Sequence, residues 1–315
     1  MSMPKVSVIL PVYQREQYLG IAIEGIVAQT FQDFEVIVSD NSAKDSLRKI
    51  CESFECHGRL RYRSNPRNLG AALNIRAAVS ESKGIYVTIL NDDDCWEPTF
   101  LEKLVSSLEK NPNCVLAFSD HWIMDAQGKI DVAATDANTK HYGRAELPAG
   151  DVKEPVKFVL EKNGVPQMAA LFRRDALDLS LLTEQVIWAY DFWISCILAA
   201  SGNAFYHVPE RLTRYRVHGE METARKSPDK SEPMIYIFEQ LLNLNWFPLM
   251  RGFLEQRLAV AYYSNGRDLL WFDQPAAARR MFRKALRLSW HQKSMAAFAL
   301  SLAPLPIRRH LQITK

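Results

Sequence analysis

Apolar positions change their spacing along the chain, and the changes divide it into segments. Val6-Ser7-Val8-Ile9-Leu10 is a strand-length apolar run closed by Pro11. From Gln17 to Gln29 the apolar residues Leu19, Ile23, Ile26 and Val27 recur at helical spacing. Phe34-Glu35-Val36-Ile37-Val38 is a second buried-type strand and runs into Ser39-Asp40-Asn41-Ser42. A polar helix over about Asp45 to Glu55, a short strand from Leu60 to Arg63 and a helix from Gly70 to Ser80 follow. Tyr86-Val87-Thr88-Ile89-Leu90 is the third apolar strand and stops at Asn91-Asp92-Asp93-Asp94. Pro98 opens the next helix, and Val115 to Phe118 is another strand. Strands separated by helices of about ten residues predict right-handed βαβ units in an α/β domain with a parallel sheet.

Past Asp120 the alternation fades. Residues 125–165 carry turn and polar signals and read as irregular. A helix near Asp191 to Ala200 and two strands, Ala204 to Val208 and Leu212 to Val217, restore regular structure. Glu222 to Pro233 is polar, charged and contains two prolines, so it predicts a linker. The expected organisation is an α/β domain over 1–221, a linker over 222–233 and a helical region over 234–315.

The net charge of +3 gives no reason to expect a nucleic-acid partner, but the charge is uneven. From Arg251 to Lys315, twelve Lys and Arg face three Asp and Glu. Within that region, Ala276 to Leu288 places Arg279, Arg280, Arg283, Lys284 and Arg287 on one side of a helix. Ala278, Met281, Phe282, Ala285, Leu286 and Leu288 fall on the other. Such a helix predicts either docking on an anionic membrane surface or packing of its apolar face against neighbouring helices. The five cysteines Cys51, Cys56, Cys95, Cys114 and Cys196 have no zinc-type spacing and read as reduced thiols. With no secretory signal and no apolar stretch of about 18 residues, the expected location is the cytoplasm, with peripheral attachment to the inner face of the membrane as a candidate.

The acidic run asks for chemistry. Ligands of an open parallel sheet bind beyond the carboxyl ends of its strands, and Tyr13, Asp40-Asn41 and Asn91 to Asp94 all follow such ends. Two carboxylates about 4 Å apart repel by roughly 4 kcal/mol at an effective dielectric near 20. Three in a row predict a cation held among them, with Mn2+ or Mg2+ suited to the oxygen ligands. The alternative is a solvated loop that caps the helix beginning at Pro98.

Taken in order, VSVILPVYQREQYL, FEVIVSDNS, RNLGAALN and SKGIYVTILNDDDCWEP resemble glycosyltransferase family 2, closely over residues 5–120 and more weakly over 165–220. The resemblance implies the GT-A fold: a Rossmann-like mixed or parallel sheet flanked by helices, here with a C-terminal helical extension. It implies that Pro11 and Tyr13 line a nucleotide base, that Asp40 hydrogen-bonds the base and that Asn68 belongs to a segment closing over the nucleotide. The ILNDDD stretch falls where the family has its DxD motif. Asn91 stands at the first acidic position, which leaves Asp93 as the metal ligand, with Asp92 and Asp94 supporting it or contacting ribose. Trp96 reads as a packing residue.

An inverting transfer needs a general base for the acceptor hydroxyl. By resemblance to the family's acidic motif before a helix, that base is Asp191. The other acid of the motif is replaced by Ala189, a helix N-cap is the alternative role for Asp191, and Glu184 is the next acid. Arg214-Tyr215-Arg216-Val217-His218 resembles the family's YRxH segment, in which His completes the metal shell and Arg holds diphosphate. Alternation on a strand puts Arg214, Arg216 and His218 on one face. The expected activity is inverting transfer of a sugar, from a UDP-sugar by preference, to a glycan or lipid-linked acceptor in surface-polysaccharide assembly. The alternative is a noncatalytic sugar-nucleotide-binding protein. No glycine-rich GxGxR-type loop supports a nucleotidyltransferase.

Overall fold

The computed structural model describes residues 3–42, 44–54, 58–219, 226–290 and 292–304. Met1–Gly219 form one compact unit and Glu220–Lys315 a second.

In the first unit, β1 (Val6–Val12), α1 (Glu16–Val27), β2 (Phe34–Asp40), α2 (Asp45–Glu52), β3 (Leu60–Ser64), α3 (Ala71–Ser80) and β4 (Tyr86–Ile89) alternate as the apolar pattern predicts. These four strands run parallel to one another, β1 lying between β2 and β4 with β3 outside β2. Val6, Val8, Leu10 and Val12 share a core with Leu19, Ile23 and Ile26 of α1. Ile9 and Ile37, out of phase with that set, are equally buried, so these strands are covered on both faces. A strand buried on both faces must be apolar at consecutive positions, which is why the runs were contiguous rather than alternating.

The chain continues through β5 (Cys95–Trp96), α4 (Phe100–Lys110), β6 (Cys114–Met124), α5 (Val132–His141), β7 (Gly150–Asp151) and α6 (Pro155–Lys157), the last extended by a π turn over Phe158–Lys162. Then come β8 (Ala170–Arg173), α7 (Tyr190–Ala200) and β9 (Ala204–Arg216). The strands form one sheet in the order β3-β2-β1-β4-β8-β6-β9-β5, with β7 on β9. β8 lies antiparallel between β4 and β6, so the sheet is mixed.

Two expectations change. Residues 125–165 hold a helix, α5, whose N-cap Asp131 accepts a hydrogen bond from the Ala134 amide. The two strands expected over 204–217 are one, β9. Pairing with β6 jumps from Ser119↔Val208 to Asp120↔Arg211, which leaves Pro209 and Glu210 in a bulge. Proline lacks the amide a ladder needs, and a bulge removes that demand.

The second unit is helical: α8 (Glu232–Leu244), α9 (Arg251–Trp271), α10 (Pro275–Leu288) and α11 (Gln292–Leu302). Of the expected linker, residues 222–225 lie outside the described residues. Its remainder is tied to α9, where the Asn265 amide donates to the Pro228 carbonyl (3.0 Å) and the Ser231 hydroxyl to Asp268 (3.0 Å). Ala278, Phe282 and Ala285 of α10 are fully buried, and Phe282 clusters with Leu269, Leu270 and Phe298. Any side chain at Gly266 of α9 would overlap the Phe282 ring. The apolar face of α10 is thus occupied by neighbouring helices, the packing alternative raised by the sequence. Burying one such aromatic contributes about 1.5–3 kcal/mol, which holds this face on its neighbours.

Candidate active site at the carboxyl edge of the sheet

The Leu90 amide donates to the Ile9 carbonyl (2.9 Å), and beyond it the chain turns through Asn91 to Asp94. Asp92, Asp93 and Asp94 are all buried, at 4%, 7% and 1% exposure. The carboxylates are held by overlapping sets of partners. Asp92 accepts from the Tyr13 amide (3.2 Å) and from Arg15 (3.0 Å). Asp93 accepts from the same Arg15 nitrogen (2.7 Å), and its Oδ2 lies 2.9 Å from Nε2 of His218. Asp94 accepts from the Arg216 amide (2.9 Å) and from the Asn91 side-chain amide (3.2 Å). Burial, then the charge of Asp93, pushes the Asp92 carboxyl up to about 7, opposed by Arg15. The same two causes carry Asp94 well above the usual carboxylate range.

Asn91 suits this crowd. Its amide donates to Asp94 while its oxygen accepts from the Tyr190 hydroxyl (2.6 Å). An aspartate there would add a fourth negative charge, at roughly 4 kcal/mol per neighbour at 4 Å.

β9 delivers the cations. Arg216 is buried, with Nε on the Asp93 carbonyl (2.8 Å) and Nη1 on the Ala126 carbonyl (3.1 Å), while its guanidinium stacks 4.7 Å from the Tyr18 ring. Two of its nitrogens thus hold the backbone of the acidic turn and of the segment after β6. Tyr18 also packs against His218, with ring centroids 5.2 Å apart. Arg214 goes elsewhere, to Glu97 (2.7 Å). Trp96 packs as expected: it stacks on Phe100 (4.4 Å), and its ring nitrogen donates to the Met168 carbonyl (2.9 Å).

At the ends of β1 and β2 the polar groups satisfy one another. Pro11 pairs with Ser39 in the β1–β2 ladder, and Tyr13 beyond it is 45% exposed. Asp40 is fully buried and accepts from the Ser42 amide and hydroxyl (both 2.7 Å), the Lys44 amide (3.1 Å) and the Tyr62 hydroxyl (2.6 Å). Those four donors fill a carboxylate's acceptor capacity. Asp40 thus holds the loop that follows β2. Asn41 donates to Asn68 (2.6 Å) and accepts from the Leu69 amide (2.9 Å), and Asn68 accepts from the Gly70 amide (2.8 Å). Gly70, at φ 78° and ψ 164°, occupies a region that only glycine enters at low cost, and it starts α3.

The opposite rim is α7. Its N-cap is Ala189, and Asp191 stands inside the first turn with Oδ1 on the Phe192 amide (2.7 Å). The N-cap alternative for Asp191 therefore does not describe the helix. Crowding by protein pushes the Asp191 carboxyl up. Tyr190 ties this turn to Asn91, so Asp191 is one residue from a side chain that touches the acidic turn. Glu184 is exposed on the preceding 3-10 turn. Ile187, between the two acids, has φ 46° and ψ −110°, a costly conformation for a β-branched residue. Gln167 is 5% exposed, and neither polar atom of its side chain has a hydrogen-bond partner.

A model of glycosyl transferase family 2 matches residues 7–178, more than half of the chain. The chain belongs to glycosyl transferase family 2. It is 30% identical over 222 residues to an uncharacterised glycosyltransferase of Methanocaldococcus jannaschii, covering 69% of this chain and 72% of that protein. Chondroitin synthase of Escherichia coli is 30% identical over 146 residues, which cover 46% of this chain and 21% of the synthase. An S. aureus TarS fragment in complex with UDP-GlcNAc superposes with a TM-score of 0.68 at 16% identity, over 99% of this chain and 92% of that one. The mannosyltransferase PcManGT of Pyrobaculum calidifontis, in complex with GDP-Man and Mn2+, gives a TM-score of 0.58 at 17% identity, over 99% and 84%. The fold is GT-A.

In this glycosyltransferase the structure brings Tyr13, Asp92, Asp93, Arg216 and His218 to one edge, with Asp191 at its α7 rim and Asp40 and Asn68 in the loop network beside it. Arg15, Tyr18 and Tyr190 belong to the same region but carried no mark in the apolar pattern. Arg15 alone had a sequence signal. Three adjacent carboxylates need positive charge, and Arg15 follows the first strand end that faces them.

Proposed function

We propose that this glycosyltransferase is inverting, and that it moves a sugar from a UDP-sugar to an acceptor hydroxyl in glycan or surface-polysaccharide assembly, where the acceptor is a glycan or a lipid-linked glycan. The observation that carries the reading is the convergence of Asp93 and His218, 2.9 Å apart, beside an α7 rim that bears Asp191. UDP-GlcNAc in the TarS complex and the polymer made by chondroitin synthase support the donor class and the pathway.

Asp93 Oδ2 and His218 Nε2 are a carboxylate–imidazole pair suited to Mn2+ or Mg2+. Among the described residues no three His, Cys, Asp or Glu side chains group to hold a metal ion. The pair therefore fits an ion whose remaining ligands are diphosphate and water oxygens. Such an ion, when bound, neutralises charge on the departing diphosphate.

The protein's own groups do the rest. Asp191 accepts the acceptor hydroxyl's proton as that oxygen bonds to the anomeric carbon and the bond from that carbon to the phosphate oxygen breaks. A carboxyl raised by its surroundings holds a proton better near neutral pH than an ordinary aspartate, which favours this step. Tyr190 positions the α7 turn, and the Asp40 and Asn68 networks hold the loops that flank Pro11 and Tyr13 for the base.

No described helix is long and apolar enough to cross a membrane. With the apolar face of α10 packed, attachment to an anionic inner membrane surface would rest on exposed Arg280, Arg283, Lys284 and Arg287. Flotation with anionic vesicles at low salt, abolished by high salt, is the expected behaviour.

The deciding assay incubates purified protein with UDP- and GDP-sugars, with and without Mn2+, and measures released nucleotide and transferred sugar. Release or transfer from a UDP-sugar supports the reading, and transfer from GDP-sugars alone changes the donor. Tight nucleotide binding with no turnover on any donor, with or without acceptor glycans, favours the noncatalytic alternative suggested by Asn91 and Ala189.

A further inference from the structure

The chain enters β8 from the carboxyl edge of the sheet. β8 pairs antiparallel with β4, Thr88 opposite Leu171, and with β6, Phe118 opposite Ala170. Gln167, Met168 and Ala169 form a 3-10 turn directly before it. These three residues therefore extend past the carboxyl ends of β4 and β6, on the side of the acidic turn and of Asp120. The turn also lies against α7.

Three contacts fix this stretch of backbone. The ring nitrogen of Trp96, two residues beyond Asp94, donates to the Met168 carbonyl (2.9 Å). Buried Arg144, paired with Asp120 (2.8 Å), donates to the Gly164 carbonyl (3.2 Å). The Ala169 amide closes the turn on the Pro166 carbonyl (2.9 Å). Between these points Gln167 is 5% exposed, and neither its side-chain oxygen nor its nitrogen has a hydrogen-bond partner. The carboxylates at the two flanking strand ends are engaged elsewhere, Asp120 by Arg144 and Thr139, and Asp94 by Arg216 and Asn91. A buried amide without partners is less stable than an apolar side chain of similar size would be. Held in a fixed frame at the edge of the site, it is suited to a ligand that brings the partners.

The position selects the ligand. With the departing diphosphate at Asp93 and His218 and the base at Asp191, the transferred sugar lies between the acidic turn and α7, because its anomeric carbon is bonded toward one and attacked from the other. The turn that carries Gln167 adjoins both. We propose that Gln167 recognises the transferred sugar, its oxygen accepting from one ring substituent and its nitrogen donating to a neighbouring one. Adjacent hydroxyls, or a hydroxyl beside an acetamido group, offer that combination of donor and acceptor. The inference rests on the assignment of Asp93, His218 and Asp191, and it gives Gln167 a part in the choice of sugar and none in binding UDP.

The test is calorimetry with Mn2+ on wild type and Gln167→Met, using UDP, UDP-GlcNAc, UDP-glucose and UDP-galactose, together with the melting temperature of each ligand-free protein. Methionine nearly conserves the volume and removes both polar atoms. The variant is expected to bind UDP within about twofold of wild type. For the sugar nucleotide that wild type prefers, its affinity relative to UDP should fall roughly 10- to 100-fold, the loss of two hydrogen bonds. Its ligand-free melting temperature should equal or exceed that of wild type, since no protein contact is lost. An unchanged ratio of sugar-nucleotide to UDP affinity overturns the proposal. A variant that melts lower or fails to fold also overturns it, by giving the amide a structural role. The underlying donor reading fails in a different way: wild type itself binds neither UDP nor any of the three sugar nucleotides.

Discussion

The two sides of the site are built on opposite plans. On the β1–β3 side every named polar group has a protein partner: Asp40 takes four donors, and Asn41, Asn65, Asn68 and Asn74 bond to one another and to Ser39. On the α7 side the groups are left unsettled. The Gln167 side chain has no hydrogen-bond partner, Ile187 is held at positive φ and the Asp191 carboxyl is raised. A satisfied network fixes the shape of a pocket before any ligand arrives, whereas unpaired and strained groups mark where binding or chemistry is supported at the expense of stability. The contrast is between a side whose shape is set and a side whose groups are not.

The sharpest way to break that contrast is at Asp191. Asp191→Asn is expected to lower turnover by roughly 10²–10⁴, the usual share of a general base, with UDP affinity and melting temperature nearly unchanged. Near wild-type turnover would move the base to Glu184 or elsewhere.

Asp93→Ala comes next. Loss of a charge-assisted contact, about 1.5–3 kcal/mol, should weaken Mn2+-dependent UDP binding by roughly 10- to 100-fold. Calorimetry reads this directly, and unchanged affinity would take Asp93 out of the metal-facing pair.

The third effect is on stability against pH in the metal-free protein. A carboxyl raised in the folded state stabilises the fold fully below its unfolded value and loses that contribution as pH rises through its folded value. For Asp92 the window runs from 3.8 to about 7. Across it, the linked change in stability is at most about 1.4 kcal/mol per pH unit for one proton. The melting temperature should therefore carry a falling component between these values, and Mn2+ with UDP should offset it near neutrality. A melting temperature that ignores Mn2+ and UDP at pH 7 would sever the acidic turn from the metal.

On the satisfied side, Asn74→Ala tests whether the network is structural. Asn74 accepts from Ser39 (2.6 Å) and Asn65 (2.7 Å) and donates to the Ser39 carbonyl (2.8 Å). Leaving such buried groups unpaired costs about 1–3 kcal/mol, read as a lower midpoint in urea. The smallest change belongs to the strained side. Ile187→Gly relieves an unfavourable φ but gives the unfolded chain more freedom, so the net effect on the midpoint should stay within about 1 kcal/mol. A larger loss would mean that Ile187 packs more than it strains.

How much was legible follows the same division. β1, β2 and β4 were readable because strands covered on both faces must be contiguous runs of apolar residues, and the acidic turn stood out because it terminates such a run. α5 was missed because few of its positions are buried, with Thr135 the one fully enclosed, so no apolar stripe marks it. β9 was read as two strands because a proline inside a strand signals an end, and only its partner β6 reveals the bulge that accommodates Pro209. The basic face of α10 was visible, but what covered Phe282 was not.

The sequence by itself determined the βαβ order, the placing of Asp92, Asp93 and Asp94 at a strand end and the family to which they belong, because these depend on local periodicity and on residues adjacent in the chain. Tertiary structure alone decided the partners. Arg15 and His218, about 200 residues apart in the chain, meet on one oxygen of Asp93, and Tyr190 reaches Asn91 across 99 residues. Arg216, from the end of β9, reaches the carbonyls of Asp93 and Ala126. Charge and hydrogen-bond capacity are assigned by distance in space, and no spacing along a chain sets that distance until the sheet has brought its strand ends together.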